Sequence, residues 1–291
     1  MFVQFRVFMK KSVITFLLIL TGWLIFAQSC LSFRTSDKKA IAAFRKKGVE
    51  LKVFTDRSDG NNIHFVQTGS DSLPTLLFIH GTPGSWTAFE PYLLDSILLS
   101  RFRLISIDRP GFGYSNFGRP ENLAEQSRQM GPVIQKLKNG KKFLMVGHSL
   151  GAPMVLQLQL DYPGLADELV LISGSIDPAA EKPEKWRWLA AKTPFTYLLP
   201  GAFRPSNQEL IYLKTDLKNL SPRLGEIRCP VYFIHGKNDS WVPPGNVAFG
   251  LEKMSGAPLK DTGWLKSGHF IPWTHFNEVR TMILAFYDAP R

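Results

Sequence analysis

The sequence predicts an α/β protein built on a mostly parallel, doubly wound sheet. Three observations carry that expectation. Short apolar runs of four to six residues recur along the chain, as buried parallel strands do. Helical patterns fill most of the gaps between them, the alternation that winds helices onto both faces of a sheet. Glycine-rich polar clusters follow the runs directly, and in such sheets chemistry collects at the carboxyl ends of strands.

The elements follow in order. Leu51 to Thr55 and Ile63 to Gln67 flank Asp59-Gly60-Asn61-Asn62 and predict a hairpin, the turn residues being those that tolerate positive φ. Strands are then expected at Thr75 to Ile79, Arg103 to Ile107, Phe143 to Val146, Leu169 to Ile172 and Val231 to Ile234, with a last one around Leu259 to Leu265. Helices are expected at Ser85 to Leu99, Leu123 to Leu137, Leu150 to Asp161, Val247 to Met254 and Phe276 to Tyr287. Ser175 to Arg228 is too long for a simple crossover and is rich in aromatic residues, so it reads as an inserted, mostly helical lid. Trp186, Trp188 and Phe195 within it are candidates to line an apolar substrate pocket, against the alternative that they pack on the sheet edge.

Composition bounds the function. The chain has 291 residues, 44% of them hydrophobic, which supports a sizeable core and excludes a disordered protein. Two cysteines, Cys30 and Cys229, exclude a disulfide scaffold. The net charge of +11 is concentrated, with eight basic and three acidic residues from Arg34 to Arg57. That excess adjoins an apolar segment and suits anionic head groups, although a merely solvated helix over Asp37 to Lys47 fits as well. No basic, aromatic-studded face or known module points to nucleic acid.

The first thirty residues read as a targeting or anchoring segment. Arg6, Lys10 and Lys11 precede an uncharged stretch from Ser12 to Phe33 that contains Ala27-Gln28-Ser29-Cys30. A small residue before a cysteine at the end of an apolar run resembles the lipobox of bacterial lipoproteins, which implies cleavage before Cys30 and acylation of it. Ala27 and Gln28 depart from the usual residues there. An uncleaved membrane span and ordinary cleaved secretion compete with that reading, and the basic cluster after the segment is unfavourable for export. The expected organisation is a signal or anchor over 1–29, a basic tether over 30–48, a core over 49–174 and 229–291, and a lid over 175–228, in a protein held at the bacterial cell envelope.

The candidate site comes from four strand ends. Gly147-His148-Ser149-Leu150-Gly151 follows one strand and opens a helix; its glycines permit the sharp turn that exposes Ser149 above a helix N-terminus. His80-Gly81-Thr82-Pro83-Gly84-Ser85 follows another, where the backbone N–H of Thr82 can join that of Leu150 as an oxyanion donor; Pro83 has none to offer. Asp239 lies after the penultimate strand and His269 after the last, giving the order nucleophile, acid, base. Asp177 is a rival acid. His80 and His148 belong to motif backbones, and His64, His235 and His275 read as structural.

On these motifs, with Asp108-Arg109-Pro110-Gly111-Phe112-Gly113-Tyr114-Ser115, the chain resembles the serine-nucleophile branch of the α/β-hydrolase superfamily over about residues 50 to 290. The resemblance implies the α/β-hydrolase fold with an inserted helical lid, Ser149 as nucleophile, His269 as base, Asp239 as its orienting acid, and Thr82 with Leu150 as the oxyanion hole. It implies hydrolysis of an acyl bond, of an ester or similar, in a small, partly apolar substrate. Aminopeptidase action of the proline iminopeptidase type, C–C bond hydrolysis, acyl transfer to an alcohol and a non-catalytic binding protein remain alternatives. Haloalkane dehalogenases and epoxide hydrolases use aspartate at the nucleophile position, and Ser149 argues against those reactions. No metal cluster or phosphate-binding loop is legible, so no cofactor is implied.

Overall fold

The computed structural model describes residues 2–290, with side chains from residue 11 onward except 28, 29 and 59. The side chains of Arg6, Lys10, Gln28 and Ser29, parts of the expected targeting segment, and of Asp59 in the hairpin turn lie outside the described residues.

Eight strands form one sheet: β1 (Lys52–Asp56), β2 (Ile63–Thr68), β3 (Thr75–Ile79), β4 (Arg103–Ile107), β5 (Phe143–His148), β6 (Glu168–Ile172), β7 (Val231–Gly236) and β8 (Lys260–Leu265). Their order is β1-β2-β4-β3-β5-β6-β7-β8. The β1–β2 and β2–β4 pairs are antiparallel and the rest parallel. This is the α/β-hydrolase fold that the strand pattern and motifs predict.

The helices are α1 (Phe2–Ser29), α2 (Asp37–Lys46), α3 (Leu123–Lys136), α4 (Gly151–Asp161), α5 (Trp186–Ala190), α6 (Phe203–Leu220), α7 (Gly245–Lys253) and α8 (Phe276–Asp288), with several single turns between them. Alternation along each strand splits the core into two layers. Leu77 and Ile79 of β3 and Met145 of β5 face α3, α4 and α7. Leu76 and Phe78 of β3 with Leu144 and Val146 of β5 face α2 and α8 on the opposite side.

Two expectations change here. The helix expected over Ser85 to Leu99 is broken into a 3-10 turn at Trp86–Phe89 and single turns at Glu90–Leu93 and Ser96–Leu99. Asp95 starts the last of these, its side chain accepting from Leu98 N–H, as a capping residue does. The segment expected to be a tether contains α2, which buries Ala40 and Phe44, the latter 6.1 Å from Trp86 between ring centres. The packed body therefore begins before residue 45, because a two-residue apolar stripe suffices to dock a charged helix.

Among the described residues no helix is long and apolar enough to cross a membrane. α1 runs from Phe2 to Ser29, with its side chains described from residue 11 to residue 27. Its apolar side chains are mostly exposed, and it packs on the segment between β6 and β7: Trp23 Nε1 donates to Leu198 O at 3.0 Å. A second joint follows it, where Gly201 N–H donates to Ala27 O and Ala202 N–H to Leu31 O at 2.8 and 2.9 Å. Gly201 is at φ +45°, and a Cβ there would collide with the carbonyl oxygens of Cys30 and Leu31.

Candidate active site

Parallel pairing brings the ends of β3, β5, β7 and β8 to one rim of the sheet. At the end of β5 the chain reverses into α4 at Ser149, whose φ is +55°. A non-glycine residue there is strained and persists only where its surroundings enforce it. The glycines on either side do so. A Cβ on Gly147 would strike the backbone of Gly151, and one on Gly151 would strike the carbonyl of Ile79 in β3. Ser149 N–H is anchored to Ile172 O at 2.9 Å.

Ser149 Oγ lies 3.0 Å from His269 Nε2, and His269 Nδ1 lies 2.8 Å from Asp239 Oδ2. The other carboxylate oxygen of Asp239 accepts from the N–H groups of Trp241 and Val242 at 3.0 and 2.8 Å. Burial works to raise the Asp239 carboxyl, but the hydrogen bond to His269 and the backbone bond from Val242 override it and hold it below the ordinary carboxylate range. Three residues 120 positions apart at the extremes are thus joined in one hydrogen-bonded row. Asp177 is elsewhere: its carboxylate accepts from Ala179 N–H, and its own N–H donates to Asn246 Oδ1.

The loop after β3 runs against Ser149. A Cβ on Gly81 would lie 2.9 Å from the Ser149 Cβ, so only glycine allows this approach. Thr82 and Leu150 consequently line the same cavity as Ser149 and His269. Arg109 pins this loop, with Nε donating to His80 O at 2.9 Å and Nη2 to Gly81 O at 3.0 Å. Its backbone N–H donates to His80 Nε2 at 3.0 Å, and the remaining side-chain hydrogen bonds go to Gln126 and to both oxygens of Glu209 on α6, the latter at 2.7 and 3.0 Å.

The other histidines are bonded within the scaffold. His64 Nδ1 is 2.8 Å from Asp108, and His235 Nε2 is 3.0 Å from Val242 O. Burial pushes His80 well below the ordinary histidine value, lowers His235, and with the neighbouring His269 takes His148 down to about 3. His80, His148 and His235 are neutral scaffold parts. Among the described residues no cluster of His, Cys, Asp and Glu is placed to hold a metal ion.

Trp186, Trp188 and Phe195 do not line the cavities at Ser149. They are 51%, 58% and 44% exposed on the outside of the segment between β6 and β7, and Phe195 faces Phe16, Leu20 and Leu24 of α1. α5 buries none of its residues and gives the cavity only Arg187, so the rest of the inward surface falls to α6 and the chain before α5. Sequence reasoning missed Trp241, which stacks on His269 at 5.6 Å, and Phe33, Phe270 and Trp273, which line the site. It also missed Glu209, for which a signal existed: the residue sits in the i, i+4 row Pro205, Glu209, Leu213, Leu217 that α6 buries.

Comparison with known proteins agrees with this architecture. Residues 74–198 match the model of the α/β hydrolase fold family. Epoxide hydrolase 1 of Caenorhabditis elegans is 28% identical over 173 residues, 57% of this chain, which spans only 39% of that protein's length. A 2-hydroxy-6-oxononadienedioate/2-hydroxy-6-oxononatrienedioate hydrolase of a Pseudomonas species is 23% identical over 80% of this chain and 95% of its own. Among solved structures, a bacterial membrane phospholipase A superposes with a TM-score of 0.64 at 18% identity, covering 96% of this chain and 97% of its own. A putative aryl esterase from Burkholderia cenocepacia gives 0.65 at 19% identity, covering 81% and 98%. The chain has the α/β-hydrolase fold, and residues 74–198 carry the match to that family's model.

Proposed function

We propose that the protein is a serine hydrolase that cleaves the acyl bond of a carboxylic ester or similar, partly apolar substrate through an acyl-enzyme. The hydrogen-bonded row Ser149–His269–Asp239 on the strained turn carries this reading. His269 Nε2 takes the Ser149 proton as Oγ attacks the carbonyl carbon, while Asp239 holds Nδ1–H and supports the positive ring. The backbone N–H groups of Thr82 and Leu150 receive the negative oxygen. His269 then returns the proton to the leaving alcohol, and water reverses the sequence to free the acid. The segment over 175–228 acts as the lid over this site.

C–C bond hydrolysis is the second reading, favoured by the near full-length match to the Pseudomonas dienedioate hydrolase. Labelling by a fluorophosphonate probe tests the shared nucleophile. A panel of esters, lactones, aminoacyl arylamides and diketones separates the reactions, and preference for a diketone over every ester would overturn the esterase reading. The N-terminal segment attaches the protein to a membrane. The bonds joining α1 and residues 27–31 to the lid favour a retained helix over cleavage and acylation at Cys30. Mass spectrometry of the N-terminus in the producing bacterium distinguishes the two.

A further inference from the structure

Two cavities of opposite character meet at Ser149. Both are lined by Thr82, Ser149, Trp241 and His269. One, of about 480 Å³, runs over Pro83 and Ala88 between Phe33, Phe203, Phe270 and Trp273. The other, of about 440 Å³, runs under the lid past Ser175, Glu181, Lys182, Glu184 and Arg187. Either alone is of the size a small ligand fills.

We infer that the substrate is a single-chain amphiphilic ester, its acyl chain lying in the aromatic branch and its polar alcohol portion in the charged branch, with the scissile carbonyl at Ser149. This rests on the serine-hydrolase reading of the same site.

Four features carry it. The aromatic branch is mainly carbon surface, with Ser85 and Thr87 its few polar groups away from Ser149 and its neighbours, so a charged group entering it would lose its hydration with little in return. The charged branch mixes Leu210, Leu213 and Val242 with two carboxylates and two cations, which give a zwitterionic or hydroxyl-rich group the partners that the aromatic branch lacks. These groups are partly held in place: Ser175 Oγ donates to Glu181 at 3.0 Å, and Arg187 pairs with Glu184 at 2.5 Å. At the fork, Thr82 lines both branches and its Oγ1 is buried without a hydrogen-bond partner.

The aromatic branch also has a position that matches its occupant. One wall is Phe33, whose ring lies tilted 6.2 Å from that of Phe203 of the lid and whose carbonyl accepts from Ser85 Oγ at 2.7 Å. Phe33 lies only four residues beyond α1, so the segment that leaves the apolar helix itself builds the wall of the acyl branch. In the reaction the ester C–O bond breaks as the Ser149 Oγ–C bond forms, and the proton passes from Oγ through His269 to the alcohol. The alcohol leaves by the charged branch, and hydrolysis of the acyl-enzyme then frees the fatty acid.

The test uses the full-length protein in lipid nanodiscs with p-nitrophenyl acetate, p-nitrophenyl dodecanoate, 1-palmitoyl-lysophosphatidylcholine and 1-monopalmitoylglycerol. Each methylene that becomes buried contributes about fourfold, so kcat/KM should rise at least about 100-fold from acetate to dodecanoate. Ala88→Trp, which fills the aromatic branch, should lower that ratio at least about tenfold, and Phe203→Trp serves should the first variant misfold. Lys182→Gln should leave the ratio within about threefold while raising KM for the preferred palmitoyl substrate. Cleavage of the lysophospholipid above the monoacylglycerol identifies a phosphate-bearing head, and the reverse order a hydroxylated one; either supports the inference. Hydrolysis of acetate and dodecanoate at similar rates, or of neither palmitoyl lipid, overturns it while the hydrolase reading stands. Failure of fluorophosphonate to label Ser149, with no ester hydrolysed, defeats the hydrolase reading and the inference with it.

Discussion

Glu209→Ala should destabilise the protein more than any exposed ion-pair variant. The Arg109 and Glu209 side chains are 0% and 2% exposed, and the guanidinium donates to both carboxylate oxygens. Removing the carboxylate leaves a buried cation with only Gln126 and two carbonyls as partners. Breaking such a pair costs about 3–5 kcal/mol. At roughly 2–4 °C per kcal/mol for a chain of this size, the melting temperature should fall by about 6–20 °C. The comparison is Glu125→Ala, whose partner Arg128 is 63% exposed and whose loss should cost at most about 0.5 kcal/mol. Replacing both buried partners, Arg109→Met with Glu209→Leu, should recover most of the stability, because the desolvation of both charges is removed together. It should not recover ester turnover. Arg109 also fixes the carbonyls of His80 and Gly81, and a loop displaced by about 1 Å costs on the order of 100-fold. Urea unfolding and p-nitrophenyl acetate hydrolysis measure the two quantities. A Glu209→Ala loss below about 1 kcal/mol, or a double variant with full turnover, would refute this account of the lid joint.

Ser149→Ala should abolish fluorophosphonate labelling and lower turnover by several orders of magnitude with the circular dichroism spectrum unchanged, leaving roughly 10³ to 10⁴ over water; a variant with most of its activity would exclude Ser149 as nucleophile. Asp239→Asn should cost about 10⁴ in kcat by fixing the wrong imidazole tautomer, whereas Asp177→Asn should cost at most about tenfold, since its carboxylate serves only a local turn. Steady-state kinetics on both variants decides, and a large loss at Asp177 alone would reverse the assignment. Stability should decline as pH falls below about 6.5, because His148, His80 and His235 are held neutral by burial and protonate more readily when unfolded. The His148 contribution is intact above histidine's ordinary 6.5 and is lost progressively down to about 3. Asp216, raised to about 6 by burial and by Glu209 against the Leu123 hydrogen bond, acts in the opposite sense, its contribution being present below the ordinary carboxylate range and lost through about 6. Urea midpoints at pH 7 and pH 5 should therefore show net loss at pH 5, and an unchanged midpoint would contradict it.

The sequence by itself determined the strands and the turns that follow them. The apolar runs in Thr75–Ile79 and Phe143–His148 and the glycines at 147 and 151 are local signals, each acting within a few residues. They are enough to place Ser149, Thr82, Asp239 and His269 at strand ends, because strand ends in a parallel sheet share one rim. Only the tertiary structure decided which groups meet across that rim. Arg109 and Glu209 are 100 positions apart, and Trp241 comes over His269 only when β7 and β8 lie side by side. The aromatic residues of the lid show the limit most plainly. Trp186 and Trp188 face outward while Phe33, outside the lid altogether, lines the site. The apolar character of a side chain is set by its own atoms, but the surface it covers depends on the angle at which its segment docks, and that angle is the sum of contacts made by distant parts of the chain.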